Sequence, residues 1–241
     1  MKRFATVENW NAIWETRGHK RSFDEIESPF QRKVYDSISK NVKNIVGGVR
    51  GKNILEIGCG SGYLSMIFLS MGAKKVTLMD TSKTALAYSR TLAEYVSIPR
   101  RKVRYVCSDC RRLPFPTDTF DLVHSTGLLE HFSDDEILGI MNECRRVLKM
   151  RGDFIAIVPN MFSVEILWRM IRDGGKGTER ILSNRKLLLL MRNAGFKKRV
   201  VKRARASVVP SFLKKSNSLT TLLDRNIGFL DYLKVCYGKK L

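Results

Sequence analysis

From residue 51 onward, short apolar runs alternate with longer amphipathic stretches. Lys52–Ile57 (KNILEI) is almost wholly apolar and ends in glycines, the pattern of a buried strand. Tyr63–Met71 reads as a helix closed by Gly72, and Lys75–Met79 as a second strand. Ser82–Val96 reads as a helix with Ser82 or Thr81 as its N-cap and Pro99 beyond its end. Val103–Cys107 is a third strand, Pro114 and Pro116 mark a loop, and Phe120–His124 is a fourth strand. Asp134–Leu148 reads as a helix, with Ser133 as cap, Glu136 at the capping-box position and Gly152 beyond its end. Phe154–Val158 is a fifth strand, stopped by Pro159. Five apolar strands separated by helices predict an α/β fold with a doubly wound parallel sheet, which binds ligands at the carboxyl ends of its strands.

The flanks extend this pattern. Pro29–Val46 reads as a helix with Ser28 as cap and Pro29 at its first position. Residues 1–27, with Trp10, Trp14 and Phe23, form a candidate cover over the site. Asn160–Thr178, containing Gly174, Gly175 and Gly177, is expected to be an insertion. Ser183–Ala194 is a helix ended by Gly195, and Phe196–Ser207 and Asp231–Tyr237 are the last strand candidates of an expected mostly parallel, seven-stranded sheet. The whole of 1–241 is expected to be one domain: 1–50 cover and helix, 51–160 core, 161–241 insertion and final strands.

Composition narrows the class. Apolar residues make up 44% of the chain and charged residues 28%, which excludes collagen-like, disordered and disulfide-scaffold classes. The five cysteines are odd in number and scattered, suiting a reducing, cytoplasmic setting. No apolar run approaches a membrane span, and the basic N-terminus lacks the apolar stretch of a signal peptide. The net charge is +21, and its distribution is lopsided: residues 161–241 hold 19 basic against 5 acidic side chains. Such asymmetry marks a surface for nucleic acid, anionic lipid or a phosphorylated substrate, or a solvated basic face.

Candidate chemistry gathers at the strand ends. Gly58, Gly60 and Gly62 join the first strand to the first helix, preceded by Glu56 and interleaved with Cys59. Glycines there permit left-handed backbone and close approach of a ligand. A dinucleotide loop would place its third glycine at position 63, but that residue is Tyr63, so the pattern is G-x-G-x-G. Asp80, at the end of strand two and followed by Thr81, is placed to accept hydrogen bonds from ribose hydroxyls, or to cap the next helix. Asp109 follows strand three and can hold an adenine amine. A backbone cradle and two carboxylates thus fall along one sheet edge. Cys107 and Cys110 form a C-x-x-C, but Asp109 lies between them and two further ligands for zinc are lacking, so the spacing reads as accidental.

These features resemble one family. LEIGCGSG, the acid at Asp80, SDCRRLPFPTDTFDLVHS, the segment Leu129-Glu130-His131-Phe132 and a strand ending VPN are similar to the class I S-adenosylmethionine-dependent methyltransferases of the type-11 group. The likeness covers about residues 51–160, nearly half of the chain. It implies a Rossmann-like methyltransferase fold with S-adenosyl-L-methionine as cofactor and S-adenosyl-L-homocysteine as product. It further implies that Gly58, Gly60 and Gly62 lie beneath the methionine part, Asp80 at the ribose, Asp109 and Cys110 at the adenine, and Ser125 and Thr126 at the sulfonium, with Glu56, Cys59 and Thr81 also among the cofactor-binding residues. Arg17 and Trp14, in the cover, are candidates for the cofactor's carboxylate.

The implied reaction is in-line transfer of an activated methyl group, which proximity and alignment largely drive. A general base is needed only if the acceptor arrives protonated. His131 is the candidate base, or a structural histidine; His124 reads as buried and structural, and His19 as uninformative. No Asn/Asp-Pro-Pro-Tyr, Pro-Cys nucleophile or catechol-type acid pair accompanies these strands. Three readings of the acceptor stay open. A small molecule or lipid-like metabolite would use an apolar pocket at Met161, Phe162, Ile166, Leu167 and Trp168, with the basic C-terminal third able to rest on an anionic membrane. An RNA would use Lys197-Lys198-Arg199 and Lys202-Arg203-Ala204-Arg205 with Arg100, Arg101, Lys102, Arg111 and Arg112, although no aromatic-interleaved platform accompanies them. A non-catalytic cofactor-binding protein working through partners is the third.

Overall fold

The computed structural model describes residues 10–15, 29–160, 180–203 and 233–241. Seven strands form one sheet: β1 (Asn53–Ile57), β2 (Lys75–Asp80), β3 (Val103–Cys107), β4 (Phe120–Thr126), β5 (Leu148–Pro159), β6 (Lys197–Arg203) and β7 (Leu233–Lys239). Among the described residues, five helices flank it: α1 (Pro29–Val46), α2 (Tyr63–Ser70), α3 (Lys83–Tyr95), α4 (Asp134–Val147) and α5 (Asn184–Asn193). Residues 10–15 are also helical. The strand order is β3-β2-β1-β4-β5-β7-β6. The chain therefore reverses direction across the sheet between β1 and β4, which opens a crevice at their carboxyl ends.

Strand periodicity sorts the apolar side chains into two layers. Ile54 and Leu122 face α1, α2 and α3, joining Ile38, Phe68 and Leu92. Leu55 and Val123 face the other way, joining Ile140, Cys144, Leu187 and Met191 of α4 and α5. Because both sheet faces are covered, β1 and β2 read as continuous apolar runs instead of alternating ones.

Several boundaries differ from the sequence expectation, most of all around β5. Helix α4 ends at Val147 and passes straight into β5, which is far longer than the expected Phe154–Val158. Gly152 does not end the helix. It lies inside β5, where a Cβ would sit 2.8 Å from the Lys149 carbonyl oxygen, and Arg151 takes the left-handed φ of 61°. The sheet is parallel from β3 through β5, but β7 runs antiparallel between β5 and β6. The end of the Phe196–Ser207 expectation, the insertion, and Ser28, Arg17, His19 and Phe23 lie outside the described residues.

At the end of the sheet away from the crevice, Asp153 is 2% exposed and accepts from Lys52 Nζ at 2.9 Å, Lys239 Nζ at 3.0 Å and the Tyr237 hydroxyl at 3.1 Å. This carboxylate fastens the C-terminal strand to β1. No helix among the described residues is long and apolar enough to cross a membrane.

Candidate active site

Residues 58–62 link β1 to α2 in a turn that only glycine-rich sequence can make. Gly58, Gly60 and Gly62 all have left-handed φ, at 59°, 51° and 68°. A Cβ at Gly62 would lie 2.6 Å from Leu78 Cδ1, and one at Gly60 2.7 Å from Trp14 Cζ2. The turn is pinned to β2: Cys59 N donates to the Met79 carbonyl at 3.0 Å and Gly60 N donates to Asp80 Oδ2 at 2.9 Å. Gly62, left-handed at φ 68°, is the N-cap of α2 and makes no side-chain cap bond.

Asp80 is 9% exposed, and its second oxygen, Oδ1, accepts from Ser82 N at 2.9 Å. Burial raises its pKa, while the backbone N–H groups of Ser82 and Gly60 oppose the rise. Ser82, not Thr81, caps α3, accepting from Ala85 N at 3.1 Å. The role of Asp80 as a helix cap is therefore taken by its neighbour, and Asp80 holds the glycine turn instead.

Asp109 lies beyond β3 and is engaged by Arg111: backbone N at 2.8 Å, Nε at 3.1 and 3.0 Å, and NH2 at 2.6 Å. Partial burial pushes its pKa up, but the Arg111 hydrogen bonds prevail and the net shift is downward. Arg111 also reaches Glu136 at 3.3 Å. Its exposed guanidinium is thus paired with two carboxylates. Cys110 is buried and its thiol pushed up to about 12, chiefly by burial; Cys107 is exposed, and all five cysteines are free.

On the other side of the crevice, Ser125 and Thr126 end β4. Their hydroxyls are buried without a hydrogen-bond partner among the described residues. Beyond them, Glu130 and His131 form a short 3-10 turn and are 2% and 7% exposed. Arg180 straps this turn, its N–H donating to the Glu130 carbonyl at 2.8 Å and its guanidinium to the Phe132 carbonyl and to Asp134. The helix at 10–15 bridges both sides. Trp10 meets His131 edge to face at 4.8 Å between centroids, while Trp14 meets Tyr88 at 5.7 Å and overlies Gly60.

Glu56, expected to face the cofactor, is 2% exposed and turns one oxygen inward. Its Oε2 accepts from Ser65 Oγ at 2.6 Å, and Ser65 Oγ lies 2.9 Å from His124 Nε2. His124 is fully buried, and burial lowers its pKa to about 3.

The structure thus brings Gly58, Cys59, Gly60, Gly62, Asp80 and Trp14 together at one end of the crevice, and Ser125, Thr126 and His131 at the other. Sequence reasoning passed over Ser65, Tyr88 and the ring contact of Trp10. Only Ser65 carried a signal: a hydroxyl inside the otherwise apolar helix YLSMIFLS.

A methyltransferase-domain family model matches residues 54–152. A probable S-adenosylmethionine-dependent methyltransferase of Mycolicibacterium smegmatis is 32% identical over 46% of this chain and 39% of its own length. A ubiquinone biosynthesis O-methyltransferase of Coxiella burnetii is 30% identical over 43% of this chain and 42% of its own. The alignments span less than half the length of these curated relatives. Among solved structures, an S-adenosylmethionine-dependent methyltransferase from Mesorhizobium loti superposes with a TM-score of 0.61 at 19% identity, over 86% of this chain and 100% of that one.

Proposed function

Since the chain belongs to the class I S-adenosylmethionine-dependent methyltransferases of the type-11-like group through its core, we propose that it transfers a methyl group in line from S-adenosyl-L-methionine to a small-molecule or lipid-like acceptor. The observation that carries this reading is the union of three left-handed glycines with a buried carboxylate bound to the middle one. A side chain at 60 or 62 would intrude on its neighbours, so the backbone stays bare for a ligand. The hydroxyls of Ser125 and Thr126, at the carboxyl end of β4, are buried and have no hydrogen-bond partner among the described residues. These residues fit the cofactor.

Gly58, Gly60 and Gly62 would seat the methionine part, Asp80 the ribose hydroxyls, and Asp109 with Cys110 the adenine. The cofactor supplies an electrophilic methyl on a sulfonium. The chain's task is then to align the acceptor and keep water out. Trp14 closes the glycine side and Trp10 the acceptor side. His131 is the candidate base for an acceptor that arrives protonated. The relative named for ubiquinone biosynthesis supports a small acceptor.

An RNA acceptor is the second reading, favoured by the exposed Arg100, Arg101, Arg104 and Arg112 near edge strand β3. Calorimetric titration of S-adenosyl-L-methionine into wild type and Asp80→Ala tests the site, with polynucleotide titrated at two salt concentrations. Micromolar binding lost in the variant, followed by turnover on extracted metabolites or lipids, is the expected result. Strongly salt-dependent polynucleotide binding would move the acceptor to RNA. A folded wild type that binds no cofactor would overturn the methyltransferase reading.

A further inference from the structure

Helix α5 and strand β6 make up one flank of the sheet. β6 is last in the strand order and pairs only with β7, so its outer edge carries no strand among the described residues. Residues 184–203 hold eight basic side chains and no acidic one. Two of the eight are engaged, Lys186 with Asp134 at 2.6 Å and Arg199 with the Phe196 carbonyl. Arg185, Arg192, Lys197, Lys198 and Lys202 are exposed, and their side chains make no ion pair or hydrogen bond among the described residues. Elsewhere basic side chains have acidic partners: Lys149 has Asp121, Arg146 has Glu143 and Lys240 has Asp118.

The fold sets these cations on one continuous flank. Arg185, Leu189 and Arg192 recur at spacings of four and three, so they share the face of α5 opposite buried Leu187, Leu190 and Met191. The helix starts at the crevice end, where the Leu182 carbonyl accepts from Lys234 Nζ near the start of β7. It ends at the Gly195 turn, and Arg192, Lys197 and Lys198 all lie within three residues of that turn. β6 then runs antiparallel to β7, back toward the crevice. Lys198, at φ 45°, falls in the register shift between Lys197 and Val200, a bulge that re-aims the edge. Val200 and Lys202, two apart, share a strand face.

Lysines on an open edge discourage pairing with another strand. That accounts for β6 but not for α5, where Leu189 is exposed between two arginines, with Ile181 and Val200 also exposed. Cations interleaved with aliphatic side chains match a surface that is negatively charged outside and hydrocarbon beneath. A second copy of a chain carrying +21 would be repelled. Nucleic-acid surfaces add aromatic rings on which bases stack, and α5 and β6 contain none.

We propose that the outer face of α5 and the edge of β6 dock the chain on an anionic membrane. Lipid phosphates pair with Arg185, Arg192, Lys197, Lys198 and Lys202, while Leu189 and Val200 enter among the headgroups. Because α5 and β6 both reach the crevice end of the sheet, docking on this flank leaves the crevice at the membrane margin. The surface lies apart from the glycine turn, so the proposal stands without the cofactor reading.

Cosedimentation of the full chain with vesicles tests it, comparing phosphatidylcholine alone with a mixture containing about one-third phosphatidylglycerol. Wild type should bind only the mixture and be released at high salt. Each cation near such a surface contributes about fivefold in affinity, so the triple variant Arg192→Gln, Lys197→Gln, Lys202→Gln should bind roughly 100-fold more weakly. Its melting temperature should match wild type, since these side chains have no partners to lose. Removing the same charge at the opposite edge, with Arg101→Gln, Arg104→Gln and Arg112→Gln, should cost less than about threefold, because those positions lie beyond the screening length of about 10 Å. Leu189→Gln should weaken binding without changing its salt dependence. No preference of wild type for the anionic vesicles, or equal losses in the two triple variants, overturns the proposal. Polynucleotide binding that the first triple variant abolishes, with no vesicle binding by wild type, also overturns it and makes the flank an RNA surface.

Discussion

Asp80→Asn separates the chemistry of the crevice from its fold. Both carboxylate oxygens of Asp80 are in use as acceptors, Oδ1 for Ser82 N and Oδ2 for Gly60 N, each at 2.9 Å. An asparagine of the same shape offers one acceptor oxygen and must turn its NH2 toward the other backbone N–H. One anchor is therefore lost whichever way the amide lies, and the bidentate negative acceptor proposed for the ribose is lost as well. A hydrogen bond to a charged group contributes about 1.5–3 kcal/mol, so cofactor affinity should fall by about 10- to 150-fold. Stability should suffer less, because the neutral amide avoids the burial that raises the Asp80 pKa. Calorimetric titration of S-adenosyl-L-homocysteine, with thermal unfolding of the same samples, reads both quantities. Affinity within about threefold of wild type would refute the assignment. So would a parallel collapse of affinity and melting temperature, since the loss would then be one of folding.

Gly62→Ala should destabilise by about 2 kcal/mol, from left-handed strain plus a Cβ placed 2.6 Å from Leu78 Cδ1, whereas Gly139→Ala, in α4 with open space around it, should stabilise by about 0.5–1 kcal/mol; urea unfolding checks both. Asp153→Ala leaves Lys52 and Lys239 without their shared buried partner and should cost about 3 kcal/mol, read as a lower midpoint in the same assay with cofactor binding retained at the distant crevice. Glu56 has a raised native pKa, so the folded protein binds more protons than the unfolded chain between the ordinary carboxyl range and about pH 8. Wild-type stability should therefore fall as pH rises through that window, by at most about 1.4 kcal/mol per pH unit, and flatten above it. In Glu56→Gln that decline should be absent, and an unchanged pH profile would contradict a neutral buried Glu56.

The alternation of apolar runs and helices, the G-x-G-x-G turn and the acids at Asp80 and Asp109 were legible without coordinates. Strand periodicity, caps and left-handed turns are local consequences of residue type. Ser133 with Glu136 forms the expected capping box, and the turn glycines take the left-handed φ that a residue without a Cβ adopts at little cost. What residue order could not express is which side chains meet across the sheet. Arg111 reads as one cation in a basic run, and its pairing with Asp109 and Glu136 appears only in the fold. Glu56 reads as a cofactor ligand, yet its inner oxygen belongs to Ser65, and Ser65 matters only because α2 lays it over the register pair Glu56 and His124. Likewise, Gly152 suggests a helix end until β5 is extended through it to pair with β4 and β7. Pairing partners, burial and the resulting proton affinities depend on distances between residues far apart in the chain, and only the packed sheet sets those.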